Sequence, residues 1–355
     1  MIARRKSRRL SVGGVPIGGG ADIVIQSMTN TDTADAAATL AQIKELAQAG
    51  CGLVRLAVPD GEAAAALAHI VPYSPVPLIA DIHFDHRLAL AALDNGISGL
   101  RINPGNIGGE EKVRAVAHAA AAHRVPIRIG VNSGSLSKAV LAEYGGVTAE
   151  AMVASAMEEI KLLESEGFYD IKISLKASNV PLMLQSYREL ARRTDYPFHI
   201  GVTEAGTPER GSIKSAVGIG ALLAEGLGDT LRVSLSGDPV REVFVAKEIL
   251  RSLGLYDRGV EYIVCPTCGR TKIDLPAIAA EIEQRVEALH IEQPLKLAVM
   301  GCVVNGPGEA READFGLAGG KGEGLLFAKG EIIGKYPADK LVDEFMRLVE
   351  AQIGV

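Results

Sequence analysis

The sequence predicts an α/β protein: a (β/α)8 TIM-type barrel followed by a smaller α+β domain. Three observations predict it. Over the first 250 residues, short branched-aliphatic runs alternate eight times with Ala- and Leu-rich stretches of helical period. Inside those runs polar and aliphatic residues alternate, so basic side chains share one face. After Leu250 this rhythm stops, and three of the four cysteines fall in the remaining third.

The eight runs, in order, are 22–29, 53–58, 77–84, 99–103, 127–132, 170–177, 198–206 and 230–237. Helical segments lie between them. In 33–49, Leu40, Ile43, Leu46 and Ala47 mark one face before Gly50 caps the end. A doubly wound open sheet gives the same alternation, and the count of eight favours the barrel.

Parity then sorts the side chains. Arg55, Arg101, Asn103, Arg128, Asn132, Lys172, Ser174, Lys176, Arg232, Ser234 and Ser236 oppose the aliphatic neighbours that pack on outer helices. Taken singly, each interior Arg or Lys reads as half of an ion pair. Together, six basic residues (Arg55, Arg101, Arg128, Lys172, Lys176, Arg232) outnumber the matching acids Asp81 and Glu204. That excess predicts an anionic, phosphate-rich substrate. Asp81 and His83 share a face at one strand end, and Glu204 ends another run, so these three are candidates for proton chemistry.

Composition bounds the rest. The 355 residues, 48% hydrophobic, suffice for one large domain and one small one. The net charge of −6 argues against non-specific nucleic-acid binding. No apolar run reaches the roughly 20 residues of a membrane span. The N-terminus packs five basic residues into positions 4 to 9 without the apolar core of a secretory signal, which predicts a solvated basic strand or tail. Cysteines at C-x-x-C spacing without such a signal predict a reducing compartment, the cytoplasm.

The domain boundary is expected near "LGLYDRGV", giving domains 1–255 and 256–355. Beyond it, Leu275, Ile278, Ile282, Val286 and Leu289 mark one helix, "LKLAVM" a strand, and the Gly-rich stretch after it a hairpin. Leu341, Val342, Phe345, Leu348 and Val349 mark a last helix. Cys265 and Cys268 have the spacing by which two thiolates grip one metal centre, and Cys302 can join from the next strand. Structural zinc wants four closed ligands, and His290 has no partner at ligand spacing. A thioredoxin-like dithiol is the commoner reading of a bare C-x-x-C, weakened here by the third cysteine. Three thiolates suit a [4Fe-4S] cluster whose fourth iron takes an oxygen ligand, for which Glu309 stands seven residues after Cys302. Cys51 reads as a small buried residue.

The motifs "RRKSRRLSVGGVPIGGGADIVIQSMTNTDT", "ADIHFDHRLAL", "LRINPGNIG", "IRIGVNSGSL", "TEAG", "GDTLRVSLSGDP", "CPTCGR" and "GCVVNGPGEA" occur in one order across nearly the whole chain. In these it resembles the bacterial 4-hydroxy-3-methylbut-2-en-1-yl diphosphate synthases of the methylerythritol phosphate route, in their form without an inserted domain. The resemblance implies a [4Fe-4S] cluster on Cys265, Cys268, Cys302 and Glu309. It implies two one-electron reductions that open and dehydrate 2-C-methyl-D-erythritol 2,4-cyclodiphosphate, with ferredoxin or flavodoxin as donor. It also implies a head-to-tail homodimer. By motif match, substrate contacts fall on Arg55, Arg101, Arg128, Asn132, Lys176, Ser234 and Arg232, and Glu204 falls near the reacting carbons. Two other readings are a barrel lyase using Lys172 or Lys176 as a Schiff base with a zinc-stabilised appendage, and a non-catalytic phosphate-ligand or redox-sensing module.

Overall fold

The computed structural model describes residues 2–103, 107–302, 308 and 310–354. The chain divides into two compact units, Met1–Leu255 and Tyr256–Val355.

The first unit opens with a short antiparallel hairpin, β1 (Leu10–Val12) and β2 (Val15–Ile17). Eight parallel strands follow: β3 (Val24–Met28), β4 (Leu53–Ala57), β5 (Leu78–Asp81), β6 (Gly99–Ile102), β7 (Ile127–Asn132), β8 (Ile171–Lys176), β9 (His199–Ile200) and β10 (Thr230–Leu231). They are hydrogen-bonded in the order β8-β7-β6-β5-β4-β3-β10-β9. A parallel bridge between Ile173 and Phe198 joins the two ends, so the sheet is a nearly closed barrel and not an open doubly wound sheet. Outer helices begin where a short polar side chain caps free backbone N–H groups: Asp35, Asp60, Asp85, Thr148, Asn179 and Asp238 each accept from an amide two or three residues on.

β9 and β10 are shorter than the apolar runs that contain them. One further ladder bond, Arg232 N–H to Ile200 O at 3.0 Å, is made before the two segments leave the sheet. Glu204 then turns at φ +50°, outside the extended region. Glu204 is therefore on an exposed turn four residues beyond its strand, not at a strand end.

The basic N-terminus is not a solvated tail. Arg4 pairs with Asp229 at 3.3 Å, and Arg8 with Asp195 at 2.6 Å. Arg5 donates to the carbonyls of Thr194 (2.7 Å) and Tyr196 (2.5 Å), with its guanidinium 3.9 Å over the Phe198 ring. The reason is that arginine stems cover apolar rings while their heads satisfy loop carbonyls. Behind this arm, Leu10, Val12 and Ile17 pack on Leu53 and Ile79 and fill the lower barrel.

The second unit is a five-stranded mixed sheet: β11 (Val260–Val264), β12 (Leu295–Met300), β13 (Phe315–Gly319), β14 (Glu323–Ala328) and β15 (Glu331–Pro337), in that spatial order. The first three are parallel neighbours and the last three antiparallel. Alternation along β12 sends Leu297 and Val299 into the core with Ile282, Val286, Phe345 and Val349 from helices Leu275–Glu287 and Leu341–Ile353. Ala298 and Met300 meet Phe327 in a second cluster. Among the described residues of the whole chain, no helix is long and apolar enough to cross a membrane.

Candidate active site

Strand register assembles the polar interior of the barrel. Asp81 lies beside Arg101, Arg101 beside Arg128, and Arg128 beside Lys172, each on the next strand. Asn132 and Lys176 form a further pair two steps toward the strand ends. Arg55, Asp81, Arg101, Arg128, Lys172 and Lys176 are all buried.

Asp81 is the hub. Its Oδ1 is 3.1 Å from Arg101 Nη1, and its Oδ2 is 3.5 Å from Arg55 Nε. Burial alone would raise its carboxyl, but Arg55, His83 and Arg101 outweigh that and hold it far below the usual carboxylate range. His83, half exposed, places Nε2 3.0 Å from Arg101 Nη1 and 3.7 Å from Asp81 Oδ1. Beside this trio is a cavity of about 230 Å³ lined by Asp81, His83, Phe84 and Leu88. Arg101 reaches across β7 to donate to Gly130 O at 3.2 Å. A Cβ at position 130 would stand 2.5 Å from Arg101 Nε, so the glycine is what lets that guanidinium cross.

Among the described residues, Arg128, Lys172 and Lys176 have no carboxylate within ion-pair distance. Arg128 donates from Nη1 to Ser174 Oγ at 2.8 Å, and its Nε and Nη2 have no hydrogen-bond partner among the described residues. Lys172 Nζ and His199 Nε2 have none either. Burial lowers the Arg55 guanidinium to about 10 and the Lys172 ammonium to about 7, and neighbouring arginines add to both shifts. Burial and surrounding cations also hold Lys176 well below its ordinary value. A buried interior this short of negative charge is built to receive an anion.

Asn132 and Ser234 are half-buried farther along their segments. Arg232 is engaged on two sides: Nε and Nη2 lie 3.1 and 3.2 Å from the carboxylate oxygens of Glu242. Glu242 also accepts from Ser27 Oγ and the Leu235 N–H, both at 3.0 Å. Sequence parity missed Glu242 because it comes from a helix ten residues on. It also passed over His199, whose inward position in "FHIG" carries the same period-2 signal as the lysines. Glu204 stands apart from this ion-pair network on its exposed turn.

In the second unit Cys265 and Cys302 follow neighbouring parallel strands, with Val264 opposite Val299 and Cys265 N–H bonded to Val299 O at 3.0 Å. A tight turn carries Cys268: its N–H meets Thr271 Oγ1 at 3.2 Å, and Thr271 N–H meets Cys268 O at 3.0 Å. Lys272 N–H bonds Gly301 O at 3.2 Å, which sets this turn against the start of the Cys302 loop. All three thiols are free: Cys302 buried, Cys265 half-buried, Cys268 exposed. The Arg270 backbone and then its charge lower the Cys268 thiol, favouring thiolate. Among the described residues no three His, Cys, Asp or Glu side chains converge on one metal-sized point. Glu309 lies outside the described residues. Cys51 is buried with Sγ 3.1 Å from Ser27 N and its thiol pushed up to about 12 by burial, the inert residue its sequence context predicts.

Fold and site define a (β/α)8-barrel protein with a cationic interior, joined to a separate α/β unit that presents three free cysteines. The chain matches the GcpE TIM-barrel domain over residues 7–247 and the GcpE protein C-terminal domain over 261–351. It therefore belongs to the GcpE family of oxidoreductases. It is 60% identical over 351 residues (99% of this chain, 98% of the other) to 4-hydroxy-3-methylbut-2-en-1-yl diphosphate synthase (flavodoxin) of Maridesulfovibrio salexigens. It is 58% identical over 347 residues (98% and 99%) to the protein of that name from Clostridium perfringens. Among solved structures, dihydropteroate synthase from Stenotrophomonas maltophilia aligns at TM-score 0.52 and 15% identity, covering 70% of this chain and 98% of that one; it shares the barrel fold.

Proposed function

We propose that this protein opens and dehydrates 2-C-methyl-D-erythritol 2,4-cyclodiphosphate to 4-hydroxy-3-methylbut-2-enyl diphosphate, with flavodoxin as electron donor. The observation that carries the reading is the barrel interior, where Arg101, Arg128, Lys172 and Lys176 stand in a line of adjacent strands with Asp81 at one end. In this reading the barrel unit, 1–255, binds substrate and the second unit, 256–355, holds the redox centre.

Arg55, Arg101, Arg128 and Lys176 grip the diphosphate, with Asn132 and Ser234 as neutral donors. Arg232 is already held by Glu242 through Nε and Nη2, with Nη1 3.6 Å from Met28 Sδ, so it can give the ligand fewer donors than the other arginines. Asp81 stays ionised and orients Arg55 and Arg101 instead of donating a proton. His83 Nε2 faces both Arg101 Nη1 and Asp81 Oδ1, so its tautomer decides whether it accepts from the guanidinium or donates to the carboxylate. Either way His83 can hold a substrate hydroxyl beside the cavity. Glu204, on its exposed turn beyond β9, is assigned to the leaving hydroxyl, which it positions or protonates.

Three free thiols on two adjoining loops, one already biased toward thiolate, are the donor chemistry a soft iron–sulphur centre requires. Cys265, Cys268, Cys302 and Glu309 would hold a [4Fe-4S] cluster. Bound there, the cluster supplies the two electrons singly and an iron with Lewis acidity. The reading places the enzyme in the cytoplasm as a head-to-tail homodimer.

The test is anaerobic incubation of iron-loaded protein with reduced flavodoxin and the cyclodiphosphate. Formation of the hydroxymethylbutenyl diphosphate, abolished without flavodoxin, is expected. An intact cluster with bound substrate and no product would overturn the assignment.

A further inference from the structure

Beside the residues assigned to the diphosphate, one cation of the interior line is given no contact with it. Lys172 is 3% exposed and Arg128, its register partner on β7, is 2% exposed. Among the described residues, Lys172 Nζ makes no hydrogen bond and no ion pair, and two of the three Arg128 nitrogens make no hydrogen bond.

The acids that could compensate it are committed elsewhere. Asp81 is held by Arg55 and Arg101. Asp229 accepts from Arg4, from Ser7 Oγ at 2.8 Å and from the Phe198 N–H at 2.8 Å. Glu242 is taken by Arg232. The other groups that face Lys172 are cationic or neutral: Arg55 on β4, Lys176 on its own strand, and His199 on β9, bound through Nδ1 to Thr230 Oγ1 at 2.8 Å. A second orphaned group, the Gln26 amide of β3, is buried with no partner on either atom. A buried ammonium with no counter-ion is costly, and it either sheds its proton or waits for an anion.

We propose that Lys172 is a further anion-binding residue of the barrel, an ammonium beside Arg128 that takes a proton from solvent as the diphosphate enters and releases it when the site empties. Naming the diphosphate rests on the function proposed above; the coupling of anion to proton does not. Burial, then Arg128, brings the empty-site amine close to neutrality, with Asp229 partly opposing them. An arriving dianion favours the charged form. Above about pH 7, binding must therefore be accompanied by proton uptake, and affinity must fall as pH rises.

Titration calorimetry at pH 8 in buffers of different ionisation heat counts those protons. Sulfate and the cyclodiphosphate serve as probes, since both keep a fixed charge near this pH. Wild type should take up protons with either probe. Lys172→Met, which keeps the volume of the stem, should take up roughly one proton fewer and lose most of the pH dependence of Kd between pH 7 and 9. A variant that merely loosened the barrel would weaken binding without changing the proton count. Equal uptake in wild type and Lys172→Met overturns the proposal, as does wild-type binding with no uptake. Sulfate binding with uptake, together with failure of the cyclodiphosphate to bind, sustains the Lys172 proposal while defeating the proposed function. If Lys172→Met does not fold, wild-type sulfate uptake and Lys172→Arg, expected to bind with roughly one proton less uptake because guanidinium stays charged, decide it.

Discussion

Arg232 and Glu242 form a two-pronged ion pair, 3.1 and 3.2 Å, in which the carboxylate is buried and also holds Ser27 and the Leu235 amide. Breaking one partner of such a pair strands the other's charge. Glu242→Gln should therefore cost about 3 kcal/mol in urea unfolding and raise KM more than it lowers kcat, because the segment carrying Ser234 loses its anchor. A loss below about 1 kcal/mol would mean the pair behaves as a solvent-screened surface bridge.

Gly130 and Arg101 give a second prediction. A methyl at 130 would fall 2.5 Å from Arg101 Nε, whereas one at Gly134 would meet nothing within 4 Å. Gly130→Ala should displace the guanidinium from Asp81 and weaken cyclodiphosphate binding by on the order of tenfold. Gly134→Ala is the control and should bind as wild type does. Equal affinity in both variants would mean that Arg101 does not touch the ligand.

Glu159 lies buried on helix Ala149–Ser165, its Oε2 without a partner, and burial pushes its carboxyl up to about 8. The folded state keeps this proton while the unfolded chain loses it near pH 4.5. Stability from the neutral form is thus complete below about 4.5 and lost as pH rises toward 8. Glu159→Gln, neutral throughout, should gain on wild type across that window by on the order of 4 kcal/mol. Melting temperatures at pH 5 and pH 8.5 check it: a gap between variant and wild type that does not widen with pH would contradict the assignment.

The cysteines separate by role. Cys302→Ser should lose bound iron and visible colour, whereas Cys51→Ala, an inert buried position, should keep both. Glu309→Gln should retain the iron with an altered resting EPR signal. Iron retained at wild-type level in Cys302→Ser would remove that residue from the ligand set.

Local period explains what was legible in sequence. Strand parity is a two-residue rule, so Arg55, Arg101, Arg128, Lys172 and Lys176 could be placed inward before any coordinates. The C-x-x-C turn and Cys302 read just as locally. What escaped depends on distant partners. Glu242 reaches Arg232 from a helix, outside strand parity. Arg4, Arg5 and Arg8 look like a tail until they meet Asp229, Thr194 and Asp195, some 190 to 225 residues on. Glu204 looks like a strand end because the positive φ that turns it away leaves no mark on an apolar run. Glu159 left a trace, since it continues the Met152, Ala156, Leu163 face of its helix, but an acid there reads as an interruption.

The most direct measurement is anaerobic purification followed by counting iron and sulfide per chain, with EPR after dithionite, before and after adding the cyclodiphosphate. About four of each per chain, a visible band that bleaches on reduction, and an EPR signal changed by the cyclodiphosphate are expected. A colourless protein with about one zinc per chain would contradict the redox reading and return the barrel to lyase chemistry.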